Sequence, residues 1–255
     1  MQIRILGCSG GIGAGSRTSA MLIDNDVLID AGTGIGDLTL EDLDSIRHVF
    51  LTHAHLDHVA GLPLLVDRVF DENFEVPITV YAREETLRAI QEHIFNGVIW
   101  PDFAKLPSPE NPMLRYRVCS PGDTITIAHR DFYAIDVRHS VPSLGYTVKN
   151  SGGSFAVSGD TKSNETLWPV LNACEDLKIL VIEVSFPDEL EKLATASGHY
   201  CPRTMTRDLE RLRQNPEIWI TGMKPGEEAT ILEQVLRAAP DRNIQMLCSG
   251  DVLTV

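Results

Sequence analysis

The stretch Val49-Phe50-Leu51-Thr52-His53-Ala54-His55-Leu56-Asp57-His58 decides how the rest of the chain is read. It opens on a short apolar run that predicts a strand, and four metal-competent side chains follow within six positions. Alternate residues of an extended segment point to the same side, so His53 and His55 can share one ion. Asp57 and His58 stand at the turn into a helical pattern over residues 59–70, where they can face a second ion beside the first. Imidazole and carboxylate together suit Zn, Mn or Fe, and no thiolate lies near enough in sequence for a structural zinc knot. A surface histidine patch would not need this spacing at a strand's end. The stretch reads as a metal-binding motif.

On both sides of the motif, short β-branched runs alternate with helical patterns. Residues 3–6, 20–23 and 27–29 predict strands, separated by glycines and an Asn25-Asp26 turn. A strand over 76–81 precedes a helix over 84–95, whose first turn carries Glu84 and Glu85 where the helix dipole favours them. Between Trp100 and Pro121 repeated prolines forbid a long regular element, so residues near 100–121 read as a Pro-rich insertion. Strands are expected at 115–118, 124–127, 132–137, 145–148 and 154–157. The last third returns to alternation, with helices at 165–174, 203–214 and 227–238 and strands at 179–182, 218–221 and 245–247. No internal repeat or compositional linker divides the chain, so 1–255 is read as one domain. Two β-rich halves, each followed by helices, predict an α/β fold of two stacked sheets with helices on their outer faces.

Composition narrows the function classes. The chain has 255 residues, enough to bury roughly three quarters of its extended surface without disulfides or metal. Its 22 basic and 36 acidic residues leave a formal charge of −14, a poor start for nucleic-acid binding, which depends on clustered Lys and Arg. A small phosphate substrate stays open, because a bound metal inverts the local field. No apolar run of about 20 residues spans a membrane. The opening residues lack the apolar core of a signal peptide. Cys8, Cys119, Cys174, Cys201 and Cys248 are scattered and form no C-x-x-C pair, so a reduced cytoplasm is the expected location. The Gly-rich opening from Gly7 to Ser16 lacks the Lys-Ser/Thr of a phosphate-binding P-loop and leads to a strand, not a helix.

His53-x-His55-x-Asp57-His58 resembles the signature of the metallo-β-lactamase superfamily, and the resemblance extends over nearly the whole chain. It implies an αββα sandwich of two stacked mixed sheets flanked by helices. Leu28-Ile29-Asp30-Ala31-Gly32 is similar to the family's second motif, beside the site. His139 stands where the family supplies a third histidine to the first metal, and Asp160, in Ser158-Gly159-Asp160-Thr161, where a carboxylate bridges both metals. The resemblance thus implies two divalent ions, foremost Zn, with Mn or Fe as alternatives. His53, His55, His139 and Asp160 would hold the first, and Asp57, His58 and Asp160 the second.

Within the superfamily, three segments resemble the class II 3′,5′-cyclic-nucleotide phosphodiesterases: His93-Ile94-Phe95-Asn96 through Trp100-Pro101-Asp102-Phe103, Gly198-His199-Tyr200-Cys201-Pro202, and Ile220-Thr221-Gly222-Met223-Lys224-Pro225. The first is a candidate wall or rim over the metal site. Glu183 followed by Gly198-His199 also resembles ribonuclease Z, where a histidine near the scissile phosphate is oriented by a glutamate. These resemblances imply hydrolysis of cAMP or cGMP to the 5′-nucleotide by a metal-held hydroxide at the Asp57-containing centre. His199 would act as general acid, Glu183 would hold its ring, and Lys224 would reach a phosphoryl oxygen. The partner is a small phosphate ester, with nucleic acid disfavoured by charge and a homodimer contact one reading of residues 100–121. One departure stands out: Gly222 occupies the position of the family's last histidine, a ligand of the second metal, so that site is short of a ligand. Two other readings remain: another ester hydrolase on the same centre (an RNA 3′-processing endonuclease or an arylsulfatase), and a non-catalytic metal-binding sensor.

Overall fold

Two seven-stranded mixed sheets lie face to face, each with helices on its outer side. A computed structural model describes residues 1–70 and 76–255. In spatial order the first sheet runs Val252–Thr254, Gln2–Gly7, Ala20–Ile23, Val27–Ile29, His48–Phe50, Ile78–Ala82 and Leu114–Val118. The second runs Ile244–Met246, Glu217–Thr221, Leu177–Glu183, Gly153–Val157, Pro142–Asn150, Arg130–Arg138 and Thr124–Ile127. The expected sandwich of mixed sheets is the observed one.

Strand periodicity explains why both faces are apolar. In the first sheet Met21, Ile23, Val27, Ile29 and Phe50 point inward, while Leu22, Leu28, Val49 and Leu51 point to the helices. A strand covered on both faces reads as a continuous apolar run, as these do. The inner cluster meets Phe132, Leu144, Tyr146, Phe155 and Val181 of the second sheet. Phe50 lies flat between Tyr81 and Phe132, with ring centroids 4.5 and 4.3 Å away. A third cluster, including Trp168, Tyr200, Met205 and Ile231, packs the second sheet against its helices.

Several boundaries differ from the sequence reading. The helix expected over 59–70 is two short ones, Leu56–Val59 and Leu62–Val69. The break falls at Ala60-Gly61, where Gly61 lies so close to Gly32 and Ile35 that a Cβ would meet atoms at 2.5–2.7 Å. The helix expected over 203–214 stops at Leu209. The strand Val252–Thr254 was not expected; it closes the first sheet by antiparallel pairing with Gln2–Gly7. In the Pro-rich stretch only the two-residue strands Pro107–Ser108 and Asn111–Pro112 pair before Leu114–Val118 begins.

The strands His48–Phe50, Arg130–Arg138, Gly153–Val157, Leu177–Glu183 and Glu217–Thr221 all end at the same edge of the sandwich. Loops leaving the carboxyl ends of such strands are where open α/β folds place their ligands. His53–His58, His139, Asp160, the residues after Glu183 and Gly222–Lys224 follow these strand ends. No described helix is long and apolar enough to cross a membrane.

Candidate metal centre

Thr52-His53-Ala54-His55 follows the strand His48–Phe50, and His55, with extended backbone, stands at the N-cap position of the short helix that carries Asp57 and His58. From the opposite sheet, His139 follows Arg130–Arg138 and Asp160 follows Gly153–Val157. Asp160 is aimed by Gly159, whose φ of +59° is left-handed and whose Cβ would lie 2.5 Å from the Leu144 carbonyl oxygen. No side chain fits there.

These residues converge. One ligand atom each from His53, His55 and His139 lies within 4.8 Å of the others, and so do those of His53, His58 and Asp160. Asp160 Oδ2 is 3.9 Å from His53 Nε2, 3.9 Å from His139 Nε2 and 3.5 Å from His58 Nε2, and His58 Nε2 is 3.8 Å from Asp57 Oδ2. Ligands bonded at about 2.0–2.2 Å around one tetrahedral ion stand roughly 3.3–3.6 Å apart, so small adjustments close these gaps.

Three histidines have one ring nitrogen fixed from outside, leaving the other for the centre. His53 Nδ1 is 3.0 Å from Thr52 Oγ1, and that hydroxyl donates to Asp30. His58 Nδ1 donates to Asp30 Oδ2 at 2.6 Å. His139 Nδ1 donates to the Gly198 carbonyl at 2.8 Å. This is the outer bonding that orients metal-ligating imidazoles. His53 Nε2 is buried and lacks a hydrogen-bond partner among the described residues. A buried orphan nitrogen facing a carboxylate and other imidazoles fits a cation.

The electrostatics agree. Burial, with neighbouring imidazoles, holds His53 well below the usual histidine range, and burial lowers His55 and His139 as well. All three favour the neutral, ligating form. Burial opposes charge on His58, but Asp30 and Asp160 outweigh it and raise its pKa. Asp160 is correspondingly lowered: burial works against ionisation, and His58 overcomes it.

Glu183 and His199 form a second constellation beside the first. His199 Nδ1 lies 3.1 Å from Glu183 Oε1 and 3.1 Å from Ser185 Oγ. Glu183 is almost fully buried and accepts further bonds from the Thr161 and Tyr200 amides and the Ser185 hydroxyl. Burial pulls the His199 pKa down, yet Glu183 and then Asp160 raise it on balance. Lys224 Nζ donates to the Gly10 carbonyl at 2.6 Å, tying the Gly-rich opening to the loop after Glu217–Thr221. A cavity of about 20 Å³, room for about one water or ion, is lined by Asp57, His58, Asp160, Glu183, His199, Gly222 and Lys224.

The metal-motif residues, His199, Glu183, Lys224 and Gly222 are thus brought to one place. The segment around Trp100 is not. Trp100 and Phe103 pack into the cluster between the first sheet and its helices and do not line the cavity, because their apolar faces are used there. Sequence reasoning overlooked Thr52 and Ser185. Both had a signal: each is a hydroxyl residue within two positions of a site residue at a strand's end.

Residues 25–231 match the model of the beta-lactamase superfamily domain. The chain belongs to the β-lactamase superfamily. Among the superfamily's members it is 27% identical to the probable 3′,5′-cyclic-nucleotide phosphodiesterase of Yersinia pestis, over 84% of this chain and 72% of that protein. It is 26% identical to ribonuclease Z of Pyrococcus abyssi, over 61% of this chain and 50% of that one. The crystal structure of unliganded yeast PDE1 superposes with a TM-score of 0.84 at 20% identity, covering 100% of this chain and 99% of that one. The superfamily expected from the His53–His58 motif is therefore the one found. The expected kind of protein, a hydrolytic enzyme, is also that of these relatives.

Proposed function

We propose that the chain is a metal-dependent phosphodiesterase that hydrolyses 3′,5′-cyclic nucleotides to 5′-nucleotides. The observation that carries this reading is the convergence of His53, His55, His58, His139 and Asp160 on one another, beside a small cavity lined by Asp57, His58, Asp160 and the His199–Glu183 pair. The relatives named as cyclic-nucleotide phosphodiesterases support the substrate class. In this reading His53, His55, His139 and Asp160 hold one divalent ion, and Asp57, His58 and Asp160 hold another, with Zn, Mn and Fe all compatible with the donors. Bound there, the ions supply Lewis acidity: a water made acidic near neutral pH and charge neutralised on phosphoryl oxygens.

The chain's own groups do the rest. Opening the ring breaks the bond from phosphorus to the 3′ oxygen, and the departing alkoxide needs a proton. His199 is the donor, because its Nδ1–H is held by Glu183 and its Nε2 remains for the leaving oxygen. The Glu183 carboxylate favours the protonated ring that this step consumes. Lys224 spends one of its three N–H bonds on Gly10 and keeps two for phosphoryl oxygens. The cavity is too small for a nucleoside, which would lie outside it.

The test is hydrolysis of cAMP and cGMP by metal-replete protein, with the product resolved as 5′- or 3′-monophosphate. Asp57→Ala is the control, and turnover should fall by a factor of about 10³ or more, as for removal of a reacting-centre group. Release of 5′-monophosphate that survives Asp57→Ala unchanged would refute the mechanism. Cleavage of an RNA 3′ trailer or an aryl sulfate in place of cyclic nucleotides would transfer the centre to another ester. Metal binding without any turnover would favour the sensor.

A further inference from the structure

The two metal positions differ in how many protein groups remain to fill them. Of the other titratable side chains lining the cavity, Asp30 is engaged by His58, Thr52 and Ser19. Glu183 is engaged by Thr161, Ser185, His199 and Tyr200, and His199 Nδ1 by Glu183 and Ser185. Cys8 Sγ donates to the Leu247 carbonyl at 3.2 Å, and His199 Nε2 is kept for the leaving oxygen in the proposed function, which among the described residues leaves Asp57, His58 and the shared Asp160 for the second ion.

Gly222 stands in the wall of that space. Its φ is +74°, and a Cβ there would meet Glu183 Cβ at 3.4 Å and Ser185 Oγ at 3.6 Å, ordinary contact distances. Histidine is among the residues that adopt left-handed backbone more readily than most. Packing therefore does not exclude an imidazole at 222; the chain leaves the position open. Two groups lining the same cavity are donors with capacity to spare. Ser9 lines the cavity and its hydroxyl is buried without a partner among the described residues. Lys224 brings an ammonium with N–H bonds to spare. Donors beside an under-filled cation site suit the oxygens of an anion, not a further metal ligand.

We infer that the second ion is held by three protein ligands, and that a phosphate group completes its coordination while bonding to Ser9 and Lys224. This rests on the metal-centre reading of the proposed function. Because each partner supplies what the other lacks, phosphate and the second ion bind with mutual reinforcement, by the same factor in either direction. A dianionic monoester gains more from this arrangement than a monoanionic diester, so the product is held together with the ion.

The experiment is a Mn²⁺ titration of chelator-stripped protein, with free Mn²⁺ counted by its electron paramagnetic resonance signal, with and without inorganic phosphate. The wild type should bind one ion tightly and a second weakly, and phosphate should tighten the second by about tenfold or more, within the usual span of coupling between sites. Gly222→His should bind both ions tightly without phosphate and respond little to it. Ser9→Ala leaves every metal ligand in place and should reduce the phosphate effect while sparing the first ion. Two equally tight ions in the phosphate-free wild type, or a second ion indifferent to phosphate, would overturn the inference. Should Gly222→His fail to fold by circular dichroism, the wild type and Ser9→Ala decide the matter. Phosphate-linked binding without cyclic-nucleotide hydrolysis would remove the substrate reading and keep this one; hydrolysis with phosphate-indifferent ions would do the reverse.

Discussion

Asp30 shows how much of a metal site is decided by residues that never touch the ion. Its carboxylate accepts from the Thr52 amide and hydroxyl and from His58 Nδ1, and it is 2% exposed. Through Thr52 it also fixes the ring of His53. Its backbone is left-handed, with φ +58°, a region that asparagine tolerates about as well as aspartate. Asp30→Asn therefore keeps the shape and removes the charge that makes His58 a more basic ligand. Metal affinity should fall by about 10–100-fold, as for other partners of ligating histidines. Isothermal titration of the stripped protein measures it; unaltered affinity would show that orientation alone suffices.

The join between the sheets rests on a few elements. Arg130, at the start of Arg130–Arg138, reaches across to the turn between Ala20–Ile23 and Val27–Ile29. Its guanidinium makes paired bonds to Asp26, both 2.7 Å, and a third of 3.1 Å to Asp24, with its side chain only 3% exposed. Arg130→Met would leave the two carboxylates facing each other over an apolar group. It should destabilise by about 2–4 kcal/mol, below the value for a wholly buried pair because Asp24 and Asp26 keep contact with water. Urea denaturation checks this, and a loss under about 0.5 kcal/mol, the scale of a surface change, would show that the sheets need no such clasp. This clasp was invisible in the sequence, since nothing local links residue 130 to residue 26. The strands themselves were legible, because burial on both faces turns 20–23, 27–29 and 49–51 into apolar runs. Leu40–Ser45 and Glu191–Ser197 were not: with no buried residue in the first and only Ala194 in the second, they lack an apolar stripe to announce them. The candidate metal ligands split in the same way. His53 to His58 declare themselves by spacing at a strand's end, whereas His139 and Asp160 are isolated in sequence and were found only through a family resemblance.

At the scale of the whole molecule, the centre is a bridge. His53, His55, Asp57 and His58 come from the segment after His48–Phe50 of the first sheet, and His139 and Asp160 from loops of the second. An ion held by both sets opposes separation of the sheets, whose shared interior is otherwise apolar. Binding to the folded state alone stabilises it according to the ratio of free ion to dissociation constant, about 2.7 kcal/mol at a hundredfold excess. For a chain of this size each kcal/mol moves the melting temperature by roughly 2–4 °C, so stripping the metal should lower it by about 5–10 °C. His139→Ala should abolish most of that difference, because it removes a proposed ligand contributed by the second sheet. Neutral His53 and His55 would still be packed in the remaining half, so the variant should melt near the stripped wild type, not far below it. Scanning calorimetry of both proteins, with Zn²⁺ and with chelator, gives the four melting temperatures needed. A chelator shift that persists in His139→Ala would mean that His139 does not hold the ion, and that any link between the sheets runs through Asp160 alone.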